Sequence, residues 1–196
     1  MYKRVFKRVI DLLLSLIAFV VLFPLLILIG IWIKLDSRGP VLFKQKRIGR
    51  GKGTFYLYKF RTMKTETPKD TPTHLLQNPN AYITRSGRLL RLTSLDELPQ
   101  LYNIIKGEMS IVGPRPALWN QDDLVAERER YGANDFRPGL TGWAQVNGRD
   151  ELPIPIKASL DGEYVKRLSL WMDIKCIFKT VHCVLARKSV VEGGDG

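Results

Sequence analysis

Residues 88 to 116 read Arg-Leu-Leu-Arg-Leu-Thr-Ser-Leu-Asp-Glu-Leu-Pro-Gln-Leu-Tyr-Asn-Ile-Ile-Lys-Gly-Glu-Met-Ser-Ile-Val-Gly-Pro-Arg-Pro, with two adjacent carboxylates between flanking arginines. Asp96 and Glu97 follow Thr93 and Ser94, and Leu98, Leu101, Ile104 and Ile105 then recur at helical spacing until Lys106-Gly107 ends the run. The pair is therefore expected in the first turn of a helix. Unpaired backbone N–H groups and the positive end of the helix dipole favour an ionised carboxylate there, and a nearby arginine adds to that. An ionised aspartate is a nucleophile at neutral pH. The same residues also fit an ordinary helix start, since Ser94-x-x-Glu97 is a capping-box pattern and Pro99 marks a helix beginning close by.

The basic neighbours weigh toward chemistry. Arg88 and Arg91 lie just upstream, and Arg115 stands between Pro114 and Pro116 after Gly113. A Gly-Pro-Arg-Pro turn has little backbone freedom, so it presents its guanidinium in a fixed direction, and that fork suits phosphate oxygens. Upstream again, Val41-Leu-Phe and Thr54-Phe-Tyr-Leu-Tyr-Lys-Phe-Arg-Thr-Met flank a glycine-rich turn and read as short strands or a hairpin. Lys59 and Arg61, two apart in an extended segment, are expected on one side, either facing a phosphate or on a solvated strand face. Arg50-Gly-Lys-Gly lacks the full spacing of a nucleotide phosphate loop and reads as a solvated turn.

Downstream, Leu118 to Arg130 reads as a polar helix. The glycine-punctuated segment from Phe136 to Arg149 looks unsuited to regular structure throughout. Gly139 and Gly142 there permit close backbone approach to a ligand, and Arg137 and Arg149 add positive charge; a folded loop with surface arginines fits equally. Residues 65 to 80, rich in Pro, Thr and Asn, read as a surface loop. The stretch from Tyr164 to Val191 mixes Trp171, Phe178 and aliphatic residues with Lys175 and Lys179, so it either lies in a membrane interface or packs on the core. The tail from residue 192 to 196 is expected to be disordered.

The chain of 196 residues carries a net charge of +12, with a pI near 9.9, and that balance calls for an anionic partner. Its two cysteines, Cys176 and Cys183, are about two helical turns apart, which reads as reduced thiols rather than a disulfide. His74 and His182 are too scattered to make a zinc site with them.

At the N-terminus, Lys3, Arg4, Lys7 and Arg8 open a basic amphipathic start. From Leu12 to Ile33 there are twenty-two residues without a charge, enough to cross a bilayer if straight. A signal peptide fits poorly, because the apolar run is too long and no small-residue cleavage site follows it. Basic residues flank the run on both sides, so both flanks favour the cytoplasmic face, which one crossing cannot satisfy. Pro24 lies near the middle and kinks a helix. A re-entrant helix meets the charge rule, with an ordinary spanning anchor as the alternative.

Taken together, Lys7-Arg-Val-Ile-Asp before an apolar segment with a central proline, Tyr58-Lys-Phe-Arg-Thr-Met, Leu95-Asp-Glu-Leu-Pro-Gln-Leu, Met109-Ser-Ile-Val-Gly-Pro-Arg-Pro, Arg137-Pro-Gly-Leu-Thr-Gly and Gln145-Val-Asn-Gly-Arg resemble the small monotopic phosphoglycosyl transferases, the bacterial sugar transferase family. The resemblance runs over nearly the whole chain. It implies a bacterial cytoplasmic-membrane enzyme, facing the cytoplasm, that moves a sugar 1-phosphate from a UDP-sugar to a polyprenyl phosphate such as undecaprenyl phosphate and releases UMP, the first membrane step of surface glycan assembly. It implies Asp96 as a nucleophile that forms a covalent phosphosugar intermediate, and hence ping-pong kinetics. Glu97 resembles the family's second acidic residue, a magnesium ligand with Asp96 or an aid to the acceptor. Arg91, Arg115 and Lys59 match the family's basic positions, and the re-entrant helix is a family feature. One departure is Phe23, where the family often has a serine before the proline whose hydroxyl can bond a carbonyl freed by the kink.

The resulting expectation is an α+β fold in one catalytic domain over residues 36 to 191, behind a kinked membrane helix over residues 1 to 35, with interfacial amphipathic helices. The chain looks like the family's minimal catalytic unit, without an added multispanning N-terminal region. Membrane lipids are expected partners, nucleic acid is not, and a homo-oligomer is compatible with the sequence. A basic membrane-anchored adaptor would explain charge and anchor but not an Asp-Glu pair, which repels a polyanion locally. Glycoside hydrolysis fails because adjacent carboxylates cannot easily flank a glycosidic bond at the required separation.

Overall fold

Leu12 to Ile33 form the middle of one helix, α1 (Lys7–Asp36), in a computed structural model that describes residues 2–67, 79–148 and 152–185. A π-helical turn over Tyr2–Phe6 leads into it. Thirty residues at 1.5 Å rise make α1 about 45 Å long. Pro24 lies inside the helix without ending it. The exposed Phe23 ring beside it packs at a tilt against Phe19, with 6.1 Å between centroids.

The folded body grips α1 along its whole length. Near its start, the buried Asp11 carboxylate accepts hydrogen bonds from the Ser110 hydroxyl at 2.6 Å and the Ile111 N–H at 3.2 Å. Lys7 Nζ reaches Asp173 at 2.7 Å. Ala18, Phe19 and Leu22 then pack on a core of Phe55, Leu57, Leu101, Ile104 and Met109. Toward the far end, Ile29 and Ile33 are buried against Phe60 and Leu90, and Asp36 accepts from the Ser86 N–H and hydroxyl at 2.9 and 2.8 Å. The other face, including Leu13, Ile17, Val20, Val21 and Leu28, is bare. The helix is long and apolar enough to cross a membrane, and that bare face is what a lipid environment would cover.

The aromatic and β-branched runs form the expected hairpin. Strands β1 (Leu42–Ile48) and β2 (Thr54–Phe60) pair antiparallel, Gln45 opposite Leu57. The connection is a short 3-10 turn over Arg50–Lys52 with Gly51 and Lys52 at positive φ, and it is a hairpin turn rather than a phosphate loop. Helix α2 (Arg85–Thr93) starts at Thr84, whose hydroxyl accepts from the Gly87 N–H at 3.0 Å. Helix α3 (Gln100–Lys106) follows, and then strand β3 (Ser110–Val112).

Helix α4 (Asp122–Glu129) lies within the polar stretch expected to be helical. The next segment departs from the sequence-based expectation of irregular structure. Gly139–Thr141 forms β4, parallel to β3 with Ser110 opposite Gly139, and Trp143–Val146 makes one turn, α5. Its glycines let β4 approach β3, and the pairing depends on residues some thirty positions away. Helices α6 (Ile154–Lys166) and α7 (Leu170–Leu185) complete the mixed α+β body. Trp143, Tyr164, Val165, Leu168, Met172 and Cys176 form a core, and a buried ion pair of Arg128 and Asp161, at 2.6 Å, clips α4 to α6. On α7, Met172 and Cys176 face inward while Trp171 and Phe178 stay exposed. The chain from Ala186 onward, with the expected tail, lies outside the described residues, as does most of the surface loop.

Both cysteines are free thiols, as the spacing indicated. Cys176 is fully buried, and burial pushes its thiol up to about 12. At pH 8 it stays protonated and shielded, so alkylation of the folded protein with iodoacetamide is expected to modify Cys183 and spare Cys176. Mass spectrometry of tryptic peptides before and after denaturation reads both positions.

Candidate active site

Helix α2 ends at Thr93, and Ser94 takes the left-handed conformation, φ 57 and ψ 16, with its N–H on the Arg91 carbonyl at 3.2 Å. That reversal feeds a 3-10 turn over Leu95–Glu97, after which Leu98 and Pro99 lead into α3. Asp96 and Glu97 thus occupy a tight turn between two helices rather than the first turn of α3. The capping box is not formed: Ser94 is left-handed, its side chain makes no cap bond, and the Glu97 N–H donates instead to the Ser94 carbonyl at 3.2 Å. Pro99, at the start of α3, has no N–H to extend that helix's bonding backward.

Freed from capping, Glu97 reaches across to the hairpin. Its Oε1 lies 2.8 Å from Lys59 Nζ and 3.9 Å from the Arg115 guanidinium. Asp96, beside it, is buried. The turn carrying Arg115 is fixed from both sides. On one side β3 and β4 continue into it, with the Gly113 N–H on the Thr141 carbonyl at 2.8 Å and the Gly139 N–H on the Pro114 carbonyl at 2.8 Å. On the other side Arg47 donates to the Pro116 carbonyl at 2.9 Å and twice to Gln45 Oε1, and the Ile48 N–H donates to the Ala117 carbonyl at 2.9 Å. The result is an open cleft lined by Arg47, Lys59, Glu97, Gln100, Arg115 and Gly139, three cations to one carboxylate. Such a cleft attracts an anion and holds donors for its oxygens.

The structure does not gather every candidate there. Lys59, Glu97, Arg115 and Gly139 line the cleft, with Asp96 adjacent to Glu97. Arg91 Nε donates to the Thr62 hydroxyl at 3.0 Å, just beyond β2. Arg61 is buried elsewhere, its guanidinium on the Ser37 carbonyl at 2.8 Å and on the Arg38 carbonyl, and burial lowers its pKa. It follows the end of β2 and caps the C-terminus of α1, so it does not share a face with Lys59. Arg137 donates to the Gly107 carbonyl at 2.8 Å, beside Arg8, which takes the Ile104 and Ile105 carbonyls. Burial, then Arg8 and Arg50, lower the Arg137 pKa, and Arg8 and Arg137 both serve the negative end of α3. Arg149 lies outside the described residues. Gly139 makes its close approach to backbone, since a Cβ there would overlap the Gly113 nitrogen.

Two lining residues, Arg47 and Gln100, escape the sequence-based reading. Gln45 and Arg47 stand two apart in β1 and so point to one side, a signal available in the strand pattern. Gln100 carries none beyond its place one turn after Asp96.

Cations converging beside a carboxylate pair, in a body bound to a helix long and apolar enough to cross a membrane, make a site suited to anionic ligands. The chain belongs to the bacterial sugar transferase family, whose model matches residues 2–187. It is 40% identical over 195 residues to a UDP-glucose:undecaprenyl-phosphate glucose-1-phosphate transferase of Xanthomonas campestris pv. campestris, covering 96% of this chain and 40% of that protein. It is 43% identical over 185 residues to an undecaprenyl-phosphate glucose phosphotransferase of Komagataeibacter xylinus, covering 89% and 35%. A UDP-N-acetylgalactosamine-undecaprenyl-phosphate N-acetylgalactosaminephosphotransferase of Aeromonas hydrophila is 37% identical over 187 residues, covering 91% and 43%. The chain thus spans about two fifths of the length of these relatives.

The glycine contacts predict how the site fails. Gly139→Ala is expected to push β4 off Gly113 and to cost about 1–3 kcal/mol or more by overpacking, whereas Gly53→Ala meets only the Arg50 carbonyl at 3.5 Å and is tolerated. Thermal unfolding in detergent distinguishes the two.

Proposed function

We propose that this chain transfers a sugar 1-phosphate from a UDP-sugar to undecaprenyl phosphate through a covalent intermediate on Asp96. The observation that carries this reading is the pairing of Glu97 with Lys59 and Arg115 beside Asp96, in a chain whose relatives are named for that transfer. Lys59 and Arg115 draw Glu97 toward the cleft while Asp96 stays buried in the turn, and the two adjacent carboxylates are given different work. Asp96 is the nucleophile and Glu97 holds the cations in the cleft.

In the first step an Asp96 carboxylate oxygen bonds to the phosphorus that bears the sugar. The bond from that phosphorus to the bridging oxygen breaks, and UMP leaves with that oxygen. In the second step an oxygen of the lipid phosphate bonds to the same phosphorus and the aspartyl–phosphorus bond breaks. That gives the lipid diphosphate sugar and restores Asp96. Dividing the exchange keeps the two polyanions from having to meet directly, and it predicts ping-pong kinetics.

Magnesium is the expected cofactor. Mg²⁺ is ordinarily held by one or two carboxylates together with substrate phosphates and water. Asp96 and Glu97 fit that need, while among the described residues no group of three His, Cys, Asp or Glu side chains forms an all-protein cage. When bound, the ion neutralises charge between an attacking carboxylate and a diphosphate.

The helix α1 is read as re-entrant, entering and leaving by the cytoplasmic face of the bacterial membrane with Pro24 deepest. Both its ends are held by the same body, through Asp11 and through Asp36, which favours both lying on one side of a hydrocarbon core about 30 Å thick. Basic residues at both flanks agree with that side being cytoplasmic. Exposed Trp171 and Phe178 on α7 suit the interface beside it. On this reading residues 1–35 are the membrane element and 36–191 the catalytic domain.

Incubating the purified protein with magnesium and a panel of UDP-sugars, without lipid acceptor, is expected to add one phosphosugar mass to the intact wild type and none to Asp96→Asn. The adduct mass reports the sugar. UMP release that needs the lipid, with no adduct from any donor, would replace the two-step mechanism by direct transfer.

A further inference from the structure

Gln100 opens α3 and is buried at 3% exposure, yet among the described residues no group hydrogen-bonds its carboxamide. The contrast within the same helix is informative. Asn103, also buried, has every polar atom satisfied, donating to the Tyr56 carbonyl at 2.8 Å and to Glu108 at 2.7 Å and accepting from the Tyr58 N–H at 3.1 Å. The fold therefore meets one buried amide completely and leaves its neighbour one turn earlier open. Among the described residues the side-chain polar atoms both sealed from solvent and without a hydrogen-bond partner belong to Ser15, Arg61, Arg128 and Gln145, so the Gln100 amide opens into the cleft, where water or a ligand supplies its partner. What remains exposed of Gln100 lines the cleft with Lys59, Glu97 and Arg115.

We infer that Gln100 is a further substrate-contact residue whose carboxamide N–H donates to a diphosphate oxygen of the nucleotide-sugar donor. This rests on the reading of the cleft proposed above. The cleft is shallow and open to solvent, with charged groups around it, so it suits the phosphates while sugar and base lie outside. Its charged lining is cationic apart from Glu97, which suits phosphate rather than hydroxyl groups. An uncharged amide four residues from Asp96 adds a donor without adding a cation that would pair with the nucleophile. Because a carboxamide does not titrate, it can bind and orient the diphosphate but cannot carry protons.

The test is Gln100→Met, close in shape and without the amide, in the full-length protein in detergent with magnesium. Binding of UDP, which lacks the sugar, and KM for a turned-over UDP-sugar are measured beside thermal unfolding. The expected result is weakening of both by roughly tenfold or more, as for loss of a hydrogen bond to a charged group, with an unfolding midpoint equal to or above the wild type. A merely structural glutamine would lower the midpoint instead and leave UDP affinity alone, which overturns the inference. Weakened UDP-sugar with unchanged UDP places the contact on the sugar and also overturns it. Arg115→Ala separates the levels. If it abolishes UDP binding while Gln100→Met does not, only the Gln100 assignment fails; if neither variant affects UDP binding, the cleft reading fails with it.

Discussion

The carboxylate of Asp11 holds the Ser110 hydroxyl and the Ile111 N–H, and this contact joins the apolar helix to the cleft. Ser110 starts β3, β3 runs into Gly113-Pro-Arg-Pro, and that turn presents Arg115 to Glu97. A buried carboxylate demands fixed donors, and Asp11 finds them on the strand that leads into the turn carrying Arg115. The register of α1 against the body and the position of Arg115 are thereby one constraint. Tyr164 reinforces it from behind, its hydroxyl donating to Asp173 at 2.7 Å and lying 3.0 Å from the Val112 carbonyl, while Asp173 also receives Lys7.

The net charge of +12 looks at first like a single anion-binding signal, but the structure divides its arginines by task. Arg8, Arg61 and Arg137 are used up on carbonyls at helix ends, where no lysine could fork between two acceptors so well. Arg128 is engaged with Asp161 in the interior. What remains at the cleft is Arg47, Lys59 and Arg115, of which Arg47 also anchors the turn. Counting cations along the chain therefore overstates the charge at the cleft, and only the folded arrangement separates helix-capping arginines from cleft-lining ones.

Much of this is legible in the sequence, for local reasons. The apolar run, the hairpin and α3 follow from periodicity, and the Asp96–Glu97 pair with Arg115 stands out because an arginine between two prolines is directional. What local pattern cannot show depends on distant partners. Ser94-x-x-Glu97 is a sound capping signal, yet Glu97 finds Lys59, thirty-eight positions earlier, and Ser94 goes left-handed. Arg61 continues the alternation of Lys59 on paper, but the strand ends at Phe60 and Arg61 turns to the end of α1. Gly139 reads as room for a ligand and proves to be room for Gly113, because parallel pairing of β3 with β4 cannot be read from either strand alone.

The adjacency of Asp96 and Glu97 also bears on why two carboxylates are kept so close. Like charges side by side repel, and a fold keeps both only if their environments differ. Here Glu97 extends outward to two cations while Asp96 stays buried in the turn. Under the proposed mechanism that asymmetry is useful at each step. Attack falls to the buried Asp96, and Glu97 keeps Lys59 and Arg115 in the cleft. The same cations, held by Glu97 before substrate arrives, are pre-positioned for the diphosphate and need not be gathered at the moment of reaction. When the diphosphate enters, its oxygens compete with Glu97 for Lys59 and Arg115, which links substrate binding to release of the second carboxylate at the point where the acceptor phosphate must next be received.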